Sequence, residues 1–321
     1  MKSPLVSFVT PAYNHEKYIV ESIRAAIAQT YHNIELLVID DGSTDSTWQR
    51  LCELKEECER RFARTVFMRQ SNKGTSLTLR TLCSMAQGEF ISPCASDDRY
   101  KSPAALERMV SFLAEHPDYG FVVGDDEFID EEGRTCYWNA DHSLCYDESN
   151  AVYRTFADFL KTRGPFDDTS FGTYATLYLR NYIPNGFMFR KSVFDHLEPL
   201  TDKAPLEDWF LMLQFSKYTK FKYLDEVMYS YRQHDSNTVK DTARMRDMEE
   251  KTRGYEEVVL RKVLVTPPLP LRPDVADVAA HGVRYKKSGI SGICEVLTSR
   301  KGLHKIKELL LFSRKFVTWQ K

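Results

Sequence analysis

The first 125 residues alternate short β-type runs with helical patterns, and this alternation limits the possible folds more than any other feature. Runs rich in Val, Ile and Phe predict strands at 5–10, 34–40, 65–69, 89–93 and 119–125. Between them, apolar residues recur at helical spacing over 16–29, 46–62, 76–87 (with Gly88 as its C-cap) and 103–116. Such alternation builds a mostly parallel sheet flanked by helices. We therefore predict a Rossmann-like α/β fold.

After Asp125 the pattern becomes less regular. Helices are predicted at 151–163 and 206–219, and strands at 185–190 and 227–233. Beyond Ser236 the chain has helical patterns interrupted by a proline-rich linker at 266–273. We therefore expect an α/β domain over 1–235, with halves at 1–125 and 126–235, and a helical C-terminal extension over 236–321.

Composition narrows the class of protein. A net charge of -2 over 321 residues gives no reason to expect a nucleic-acid partner. No apolar run approaches the length of a membrane span, so we expect a cytoplasmic protein. Seven cysteines without a CxxC pair argue against a zinc site or a disulfide framework.

The C-terminal tail differs in charge from the rest of the chain. Residues 284–321 contain ten Lys/Arg and two Asp/Glu, so this tail carries +8 and the remainder -10. Residues 301–321 have the pattern of a basic amphipathic helix. It could lie on the inner face of an anionic membrane as a peripheral contact. Packing against the rest of the chain or against a second subunit, in a homo-oligomer, is an equally good interpretation.

Polar residues follow four of the predicted strands, in "TPAYN", "DDGSTDS", "SNKG" and "SDD". The carboxyl ends of parallel strands meet at one edge, where ligands bind. Each loop taken singly fits ordinary turn or capping chemistry. However, Asp97 and Asp98 are adjacent like charges, and Ser102 can cap the following helix without them. Such a pair favours a bound cation, and oxygen ligands suit Mg²⁺ or Mn²⁺.

Two common phosphate-binding signatures are absent. The chain has neither GxxxxGK[ST] nor GxGxxG, which argues against a P-loop NTPase and a classical dinucleotide enzyme. A metal, and not a glycine-rich loop, would then have to hold any phosphate groups.

The motifs "VSFVTPAYNHEKY", "LLVIDDGSTDST", "SNKGTSL", "GEFISPCASDDRY" and "LEDWFLML" occur in an order that closely resembles the family-two inverting glycosyltransferases with the GT-A fold. The resemblance covers about residues 4–235, and it implies a GT-A domain whose first half binds a nucleotide sugar and whose second half binds the acceptor.

The resemblance also implies roles for residues on the nucleotide side. Pro11 and Tyr13 would pack around the base, and Asp41 would hydrogen-bond the uracil edge. In the DXD-type motif, Asp98 would ligate the metal on the donor diphosphate, and Asp97 would contact the ribose or the sugar. Arg80 is shifted by one position from the usual arginine of the family, so its contact with the nucleotide is left open.

For the acceptor side, the resemblance assigns Asp208 as the catalytic base, with Glu207 as its usual neighbour. The acceptor hydroxyl must lose a proton as it attacks the anomeric carbon, which requires a carboxylate on that face. A helix N-terminus alone would also favour these acidic residues. His234 is a candidate third metal ligand and Arg232 a candidate neighbour of the phosphates, although an isolated histidine is as often structural.

The resemblance thus predicts transfer of a hexose or N-acetylhexosamine from a nucleotide sugar, expected to be UDP-linked, to a glycan or lipid-linked saccharide. Two alternatives remain open. A nucleotidyltransferase that forms sugar nucleotides shares the sheet but usually has a glycine-rich basic loop, which "TPAYNHEKY" lacks. A non-catalytic nucleotide- or carbohydrate-binding module would not need the whole carboxylate set.

Overall fold

The computed structural model describes residues 3–235 and 237–275. Its strands are β1 (Val6–Ala12), β2 (Ile34–Asp40), β3 (Arg64–Arg69), β4 (Phe90–Pro93), β5 (Arg99–Tyr100), β6 (Tyr119–Ile129), β7 (Thr135–Trp138), β8 (Leu144–Cys145), β9 (Phe187–Arg190) and β10 (Lys220–Arg232). Its helices are α1 (Ile19–Ile27), α2 (Thr47–Glu53), α3 (Lys55–Arg61), α4 (Thr75–Met85), α5 (Ala105–Glu115), α6 (Phe156–Leu160), α7 (Tyr174–Leu179), α8 (Lys191–Phe194), α9 (Glu207–Ser216) and α10 (Thr242–Val265). Short 3₁₀ turns lie at Glu148–Asn150 and Thr238–Lys240.

The central sheet has the strand order β3-β2-β1-β4-β9-β6-β10-β5. β1 pairs in parallel with β2 and β4, β2 pairs in parallel with β3, and β6 pairs in parallel with β10. β9 runs antiparallel between β4 and β6, and β5 runs antiparallel to β10. The predicted α/β fold with a mostly parallel sheet is confirmed. Because the parallel strands end at one edge, the loops after β1, β2, β3 and β4 lie close together.

The sheet is buried on both faces, as the unbroken apolar runs of its strands require. Every residue of β2 is buried. Alternate residues of each strand enter opposite cores. Leu37 and Ile39 pack with residues of α4 and α9, whereas Leu36 and Val38 pack with residues of α1 and α5. Packing on both faces of the sheet therefore holds in place the strand ends from which the polar loops extend.

Several local predictions differ from the structure. The strand predicted at 227–233 begins at Lys220, and the helix predicted over 151–163 is confined to Phe156–Leu160. The helix predicted over 46–62 divides at Leu54 into α2 and α3, and the strand predicted to end at 125 continues to Ile129. Gly88 is not a helix C-cap, because α4 ends at Met85 and Ala86 is already extended. A Cβ at Gly88 would lie 2.7 Å from the Leu5 carbonyl oxygen. The glycine is therefore required by close approach to the chain entering β1.

The helix α10 packs on the body of the protein. Val259 and Val263 are buried in the core beside α9, and Glu256 forms a fully buried ion pair of 2.7 Å with Lys217. The hydroxyl of Tyr174 also donates to Glu256 (2.8 Å). The division of the chain at 235 stays a prediction, but α10 is anchored to the preceding residues.

Within the described residues, no helix combines the length and the apolar character needed to cross a bilayer. The predicted basic helix at 301–321 lies outside the described residues.

Candidate active site

A large cleft opens at the edge of the sheet where the polar loops converge. Its volume is about 1350 Å³, and residues from both halves of the domain and from α10 line it. The first half contributes Tyr13, Asp41 and the segment 72–77. The second half contributes aromatic residues between 138 and 160, the segment 180–185 and the first turn of α9. The start of α10 and the turn before it supply a further side.

Beside this cleft, His15, Asp97 and His234 form a cluster that could hold a metal ion. One candidate ligand atom from each residue lies within 4.8 Å of the other two. Nε2 of His234 is 3.0 Å from Asp97 Oδ2, and Nε2 of His15 is 3.8 Å from the same oxygen. The His15 ring is oriented by a hydrogen bond between Nδ1 and Ser96 Oγ (2.7 Å), and the His234 ring stacks on Tyr18. Three loops that are distant in sequence are thus joined at one point.

The two adjacent aspartates have opposite electrostatic environments. Burial alone would raise the pKa of Asp97, but hydrogen bonding with His234 and the charges of both histidines hold it below its ordinary value. Burial, reinforced by the charge of Asp97, raises the pKa of Asp98 well above its ordinary value. Asp97 is therefore the ionised member of the pair, and a carboxylate ligand must be ionised.

The structure places Asp98 differently from the expectation that it ligates the metal. Asp98 Oδ1 accepts a hydrogen bond from the backbone N–H of Arg232 (2.8 Å), and Oδ2 accepts one from the hydroxyl of Tyr229 (3.2 Å). Asp98 is buried and is not a member of the cluster of potential ligands. Asp97 occupies the position beside His234 instead, because the turn after β4 directs Asp98 inward against β10.

Arg232 also differs from its expected place near the phosphates. Its side chain is buried, and Nε donates to the Asp97 carbonyl oxygen (2.7 Å). Nη1 donates to the carbonyl oxygens of Asp130 (3.0 Å) and Glu131 (3.2 Å), and Nη2 pairs with Glu21. The residue is not among those that line the cleft. Arg232 therefore fastens the Asp97 loop to β10 and α1.

Asp41 lines the cleft and organises the loop after β3. Its Oδ1 accepts hydrogen bonds from Gln70 Nε2 (2.7 Å) and the Lys73 N–H (2.9 Å), and its Oδ2 accepts one from the Gly74 N–H (2.8 Å). Tyr13 is 44% exposed and also lines the cleft, so its ring is available to a ligand. The loops after β1, β2 and β3 thus form one continuous surface.

Like Asp97 and Asp98, the predicted nucleotide-side residues Pro11 and Arg80 do not line the cleft. Pro11 lies within β1 opposite Ile39 of β2, half-buried. Arg80 is exposed on α4, one turn beyond the residues of that helix that face the cleft. Neither residue is brought to the Tyr13 and Asp41 surface, since β-pairing holds the first and the helix face directs the second elsewhere.

Asp208 and Glu207 lie in the first turn of α9, and both line the cleft. Asp208 Oδ2 accepts a hydrogen bond from Asn181 Nδ2 (2.9 Å), which fixes the direction of the carboxylate. Burial raises the pKa of Asp208. Burial and the charge of Asp208 raise the pKa of Glu207 to about 8. A carboxylate with a raised pKa is a stronger base than a solvated one, which suits proton abstraction.

Several residues at the site were not found from the sequence. His15 follows the first strand in "YNHE", so its position after a strand end was a signal that could have identified it. Asn181, Arg163 and Arg180 lie in the irregular stretch after Asp125, where no periodic pattern fixes which side chains face the cleft.

The chain is similar to known glycosyltransferases in sequence and in fold. Residues 7–197 match the model of the family described as Glycosyl transferase family 2. The chain is 25% identical over 251 residues to "Glycosyltransferase GlyG" of Streptococcus pneumoniae serotype 4, with 74% of each chain covered. It spans between 59% and 74% of the length of the first curated relatives that it matches.

Two solved structures share the fold. Staphylococcus aureus TarS 1-349 in complex with UDP-GlcNAc aligns with TM-score 0.52 and 17% identity, over 81% of this chain and 71% of that one. Mannosyltransferase PcManGT from Pyrobaculum calidifontis, in complex with GDP-Man and Mn2+, aligns with TM-score 0.52 and 13% identity, over 100% of this chain and 88% of that one. At these identities the likeness supports the GT-A fold alone. With the family match covering more than half of its residues, the chain belongs to glycosyl transferase family 2.

Proposed function

We propose that this family-2 glycosyltransferase is a metal-dependent, inverting enzyme that transfers a hexose or N-acetylhexosamine from a UDP-sugar. The acceptor is a glycan or a lipid-linked saccharide. The observation that carries the proposal is the arrangement of one cleft, with Tyr13 and Asp41 on one side and Asp208 on the other. A sugar bound between them would meet a nucleotide-binding surface and a base from opposite directions.

Asp97, His234 and His15 are the residues that would hold the metal. Imidazole nitrogens beside a carboxylate suit Mn²⁺ better than Mg²⁺, which prefers an all-oxygen shell. Such an ion neutralises the charge of the donor diphosphate as it leaves. Asp98 and Arg232 hold the backbone segments that carry these ligands. Asp98 accepts a hydrogen bond from the N–H of Arg232, in the segment that leads to His234, and the Arg232 side chain donates to the carbonyl oxygen of Asp97.

In this proposal Asp208 accepts the proton of the acceptor hydroxyl as that hydroxyl attacks the anomeric carbon. The hydrogen bond from Asn181 holds one carboxylate oxygen and leaves the other for the hydroxyl. Attack opposite the leaving diphosphate, through an oxocarbenium-like transition state, inverts the anomeric centre in a single step. An α-linked donor therefore gives a β-linked product.

The choice of UDP is supported by the exposed Tyr13 ring and by the Asp41 carboxylate beside it. Of the two structural neighbours, one is named as a complex with UDP-GlcNAc and the other with GDP-Man and Mn2+. Membrane contact or self-association through 301–321 and a cytoplasmic location at the membrane face stay predictions from the sequence.

A panel of sugar nucleotides tests the proposal. The protein is incubated with each UDP- and GDP-sugar, a mixed glycan acceptor fraction, and MnCl₂, MgCl₂ or EDTA. We expect release of UDP, strongest with Mn²⁺ and lost with EDTA, and a β-anomeric product by NMR. Retention of the anomeric configuration would exclude the single displacement, and full activity in EDTA would exclude the metal.

The same panel separates the two alternatives. A nucleotidyltransferase would form or consume pyrophosphate when supplied with a sugar phosphate and a nucleoside triphosphate. A binding module would bind a nucleotide or glycan by calorimetry without turnover under any metal condition.

A further inference from the structure

Two arginines of the second half line the cleft. Arg163 follows α6 and Arg180 follows α7, and both are exposed and line the cleft. Partial desolvation lowers the pKa of the Arg163 guanidinium, and the positive charge of Arg180 lowers it further. Two guanidinium groups that face one cleft favour an anion there.

Neither arginine has a carboxylate partner within 4.0 Å among the residues at 3–235 and 237–275. Some arginines among the described residues are held by carboxylates, for example Arg64 by Glu35 (2.7 Å) and Arg69 by Asp40 (2.9 Å). Glu249 of α10 attracts the Arg163 charge but forms no ion pair within 4.0 Å with it among the described residues. The positive charge of the pair is therefore available to a ligand.

The surroundings of Arg163 on the cleft wall are aromatic. Its guanidinium lies over the Phe159 ring at 4.5 Å, and the His142 ring stacks on Trp138 at 5.0 Å. Trp138 is buried to 7% exposure and lines the cleft, and its indole N–H has no hydrogen-bond partner within the described part of the chain. The indole also stacks with the Phe128 ring at 4.2 Å, so these aromatic residues form a packed wall of the cleft behind Arg163.

Arg180 is also adjacent in sequence to a residue that contacts the proposed base. It immediately precedes Asn181, whose side-chain amide donates to Asp208 at 2.9 Å. A group bound by Arg180 would therefore sit close to the hydroxyl that Asp208 deprotonates. This position on the acceptor half separates the pair from the Tyr13 and Asp41 surface on the other half.

We propose that Arg163 and Arg180 form a subsite for an oxyanion of the acceptor, and that the acceptor is accordingly an anionic saccharide chain. The inference rests on the function proposed above and names its substrate class. A carboxylate of a uronic acid and a phosphodiester share the required chemistry, since guanidinium groups bind either through paired N–H···O bonds.

The test measures binding by affinity electrophoresis with UDP and MnCl₂ present. The probes are heparosan oligosaccharides, the same oligosaccharides after carboxyl reduction, and glycerol-phosphate oligomers. The first two differ only in charge, and the third distinguishes a phosphodiester from a carboxylate. The variants are Arg180→Gln, Arg163→Gln with Arg180→Gln, and Arg154→Gln as the control. Arg154 is exposed in the same half and does not line the cleft.

We expect the wild-type protein to bind one anionic probe about 10-fold or more tighter than the carboxyl-reduced one, since each charge-assisted contact contributes about that factor. Arg180→Gln should lose most of this preference, the double variant all of it, and Arg154→Gln none. Equal binding of charged and neutral probes by the wild type would overturn the subsite, as would equal loss in Arg154→Gln.

A donor-side readout separates this inference from the proposed function. Affinity for UDP and hydrolysis of the UDP-sugar should be unchanged in the double variant. Weaker UDP binding in that variant would assign the arginines to the donor phosphates and overturn the inference alone. Absence of any nucleotide-sugar binding by the wild type would instead overturn the proposed function.

Discussion

The site contains two pairs of adjacent carboxylates, Asp97–Asp98 and Glu207–Asp208, and their environments differ. The first pair lies at the end of β4 between two histidines and the inward-facing strand β10. There the pKa of Asp97 is lowered and that of Asp98 is raised. The second pair lies at the start of α9, where burial raises the pKa of both residues. Neighbouring charges, and not the dipeptide itself, decide what each carboxylate can do.

This difference suggests that the two carboxylate pairs have different roles. An ionised carboxylate beside imidazole rings can bind a cation, whereas carboxylates that are desolvated without a nearby cation gain proton affinity. In the first pair, one carboxylate therefore suits a metal ligand and the other a buried residue that supports it. In the second pair, one carboxylate suits a base and the other is its acidic neighbour.

The largest effect is expected at Asp208. Replacing Asp208 with Asn preserves the size of the side chain that contacts Asn181 but removes the base. Transfer should therefore fall by about 10²–10⁴-fold. Affinity for UDP, measured by calorimetry, should be unchanged because Asp208 lies on the acceptor side. Asp202→Asn is the matched control, since Asp202 also lines the cleft and is exposed. Full transfer by Asp208→Asn would require another base.

A smaller effect is expected at Asp97. Asp97→Asn should weaken Mn²⁺ binding by about 10–100-fold, measured by electron paramagnetic resonance of free Mn²⁺ in the presence of UDP. The isosteric change Asp98→Asn is the control and should leave Mn²⁺ affinity close to that of the wild type. If the two variants exchanged their effects, the family-derived assignment of Asp98 as the ligand would be restored.

The sequence predicted the elements of the fold well and the orientation of the site less well. β2 was predicted with its observed bounds, because an unbroken apolar run between turn residues leaves little alternative. The position of Asp97 and Asp98 at a strand end followed from the same pattern. Which of the two faces the ligand depends on Tyr229 and Arg232, more than 130 residues later, and local patterns do not encode that contact.

A similar limit applies to the arginines. Arg80 was singled out by motif order, yet it is exposed on α4 away from the cleft. Arg163 and Arg180 line the cleft from an irregular segment, where no periodic pattern fixes which side chains face it. Their position depends on tertiary contacts that sequence spacing does not specify.

At Asp98 we expect an effect on stability instead of chemistry. Asp98→Ala leaves the buried N–H of Arg232 without its acceptor, which should cost about 1–3 kcal/mol of the free energy of unfolding. Asp98→Asn keeps an acceptor for that N–H and mimics a protonated acid, so it should recover most of the loss. Urea denaturation of the three proteins measures this order, and equal stability of Ala and Asn variants would contradict it.

The smallest effect concerns the pH dependence of stability at Glu207, whose pKa in the folded protein is about 8. An unfolded glutamate has a pKa of about 4.3, so the folded state binds the proton more tightly. The stabilisation is therefore complete below about pH 4 and is lost as pH rises to about 8. Glu207→Gln cannot lose a proton, so between pH 5 and 8 its melting temperature should fall less than that of the wild type. The exposed Glu53→Gln should follow the wild type, and a parallel pH profile for Glu207→Gln would show that the second carboxylate pair does not hold its proton.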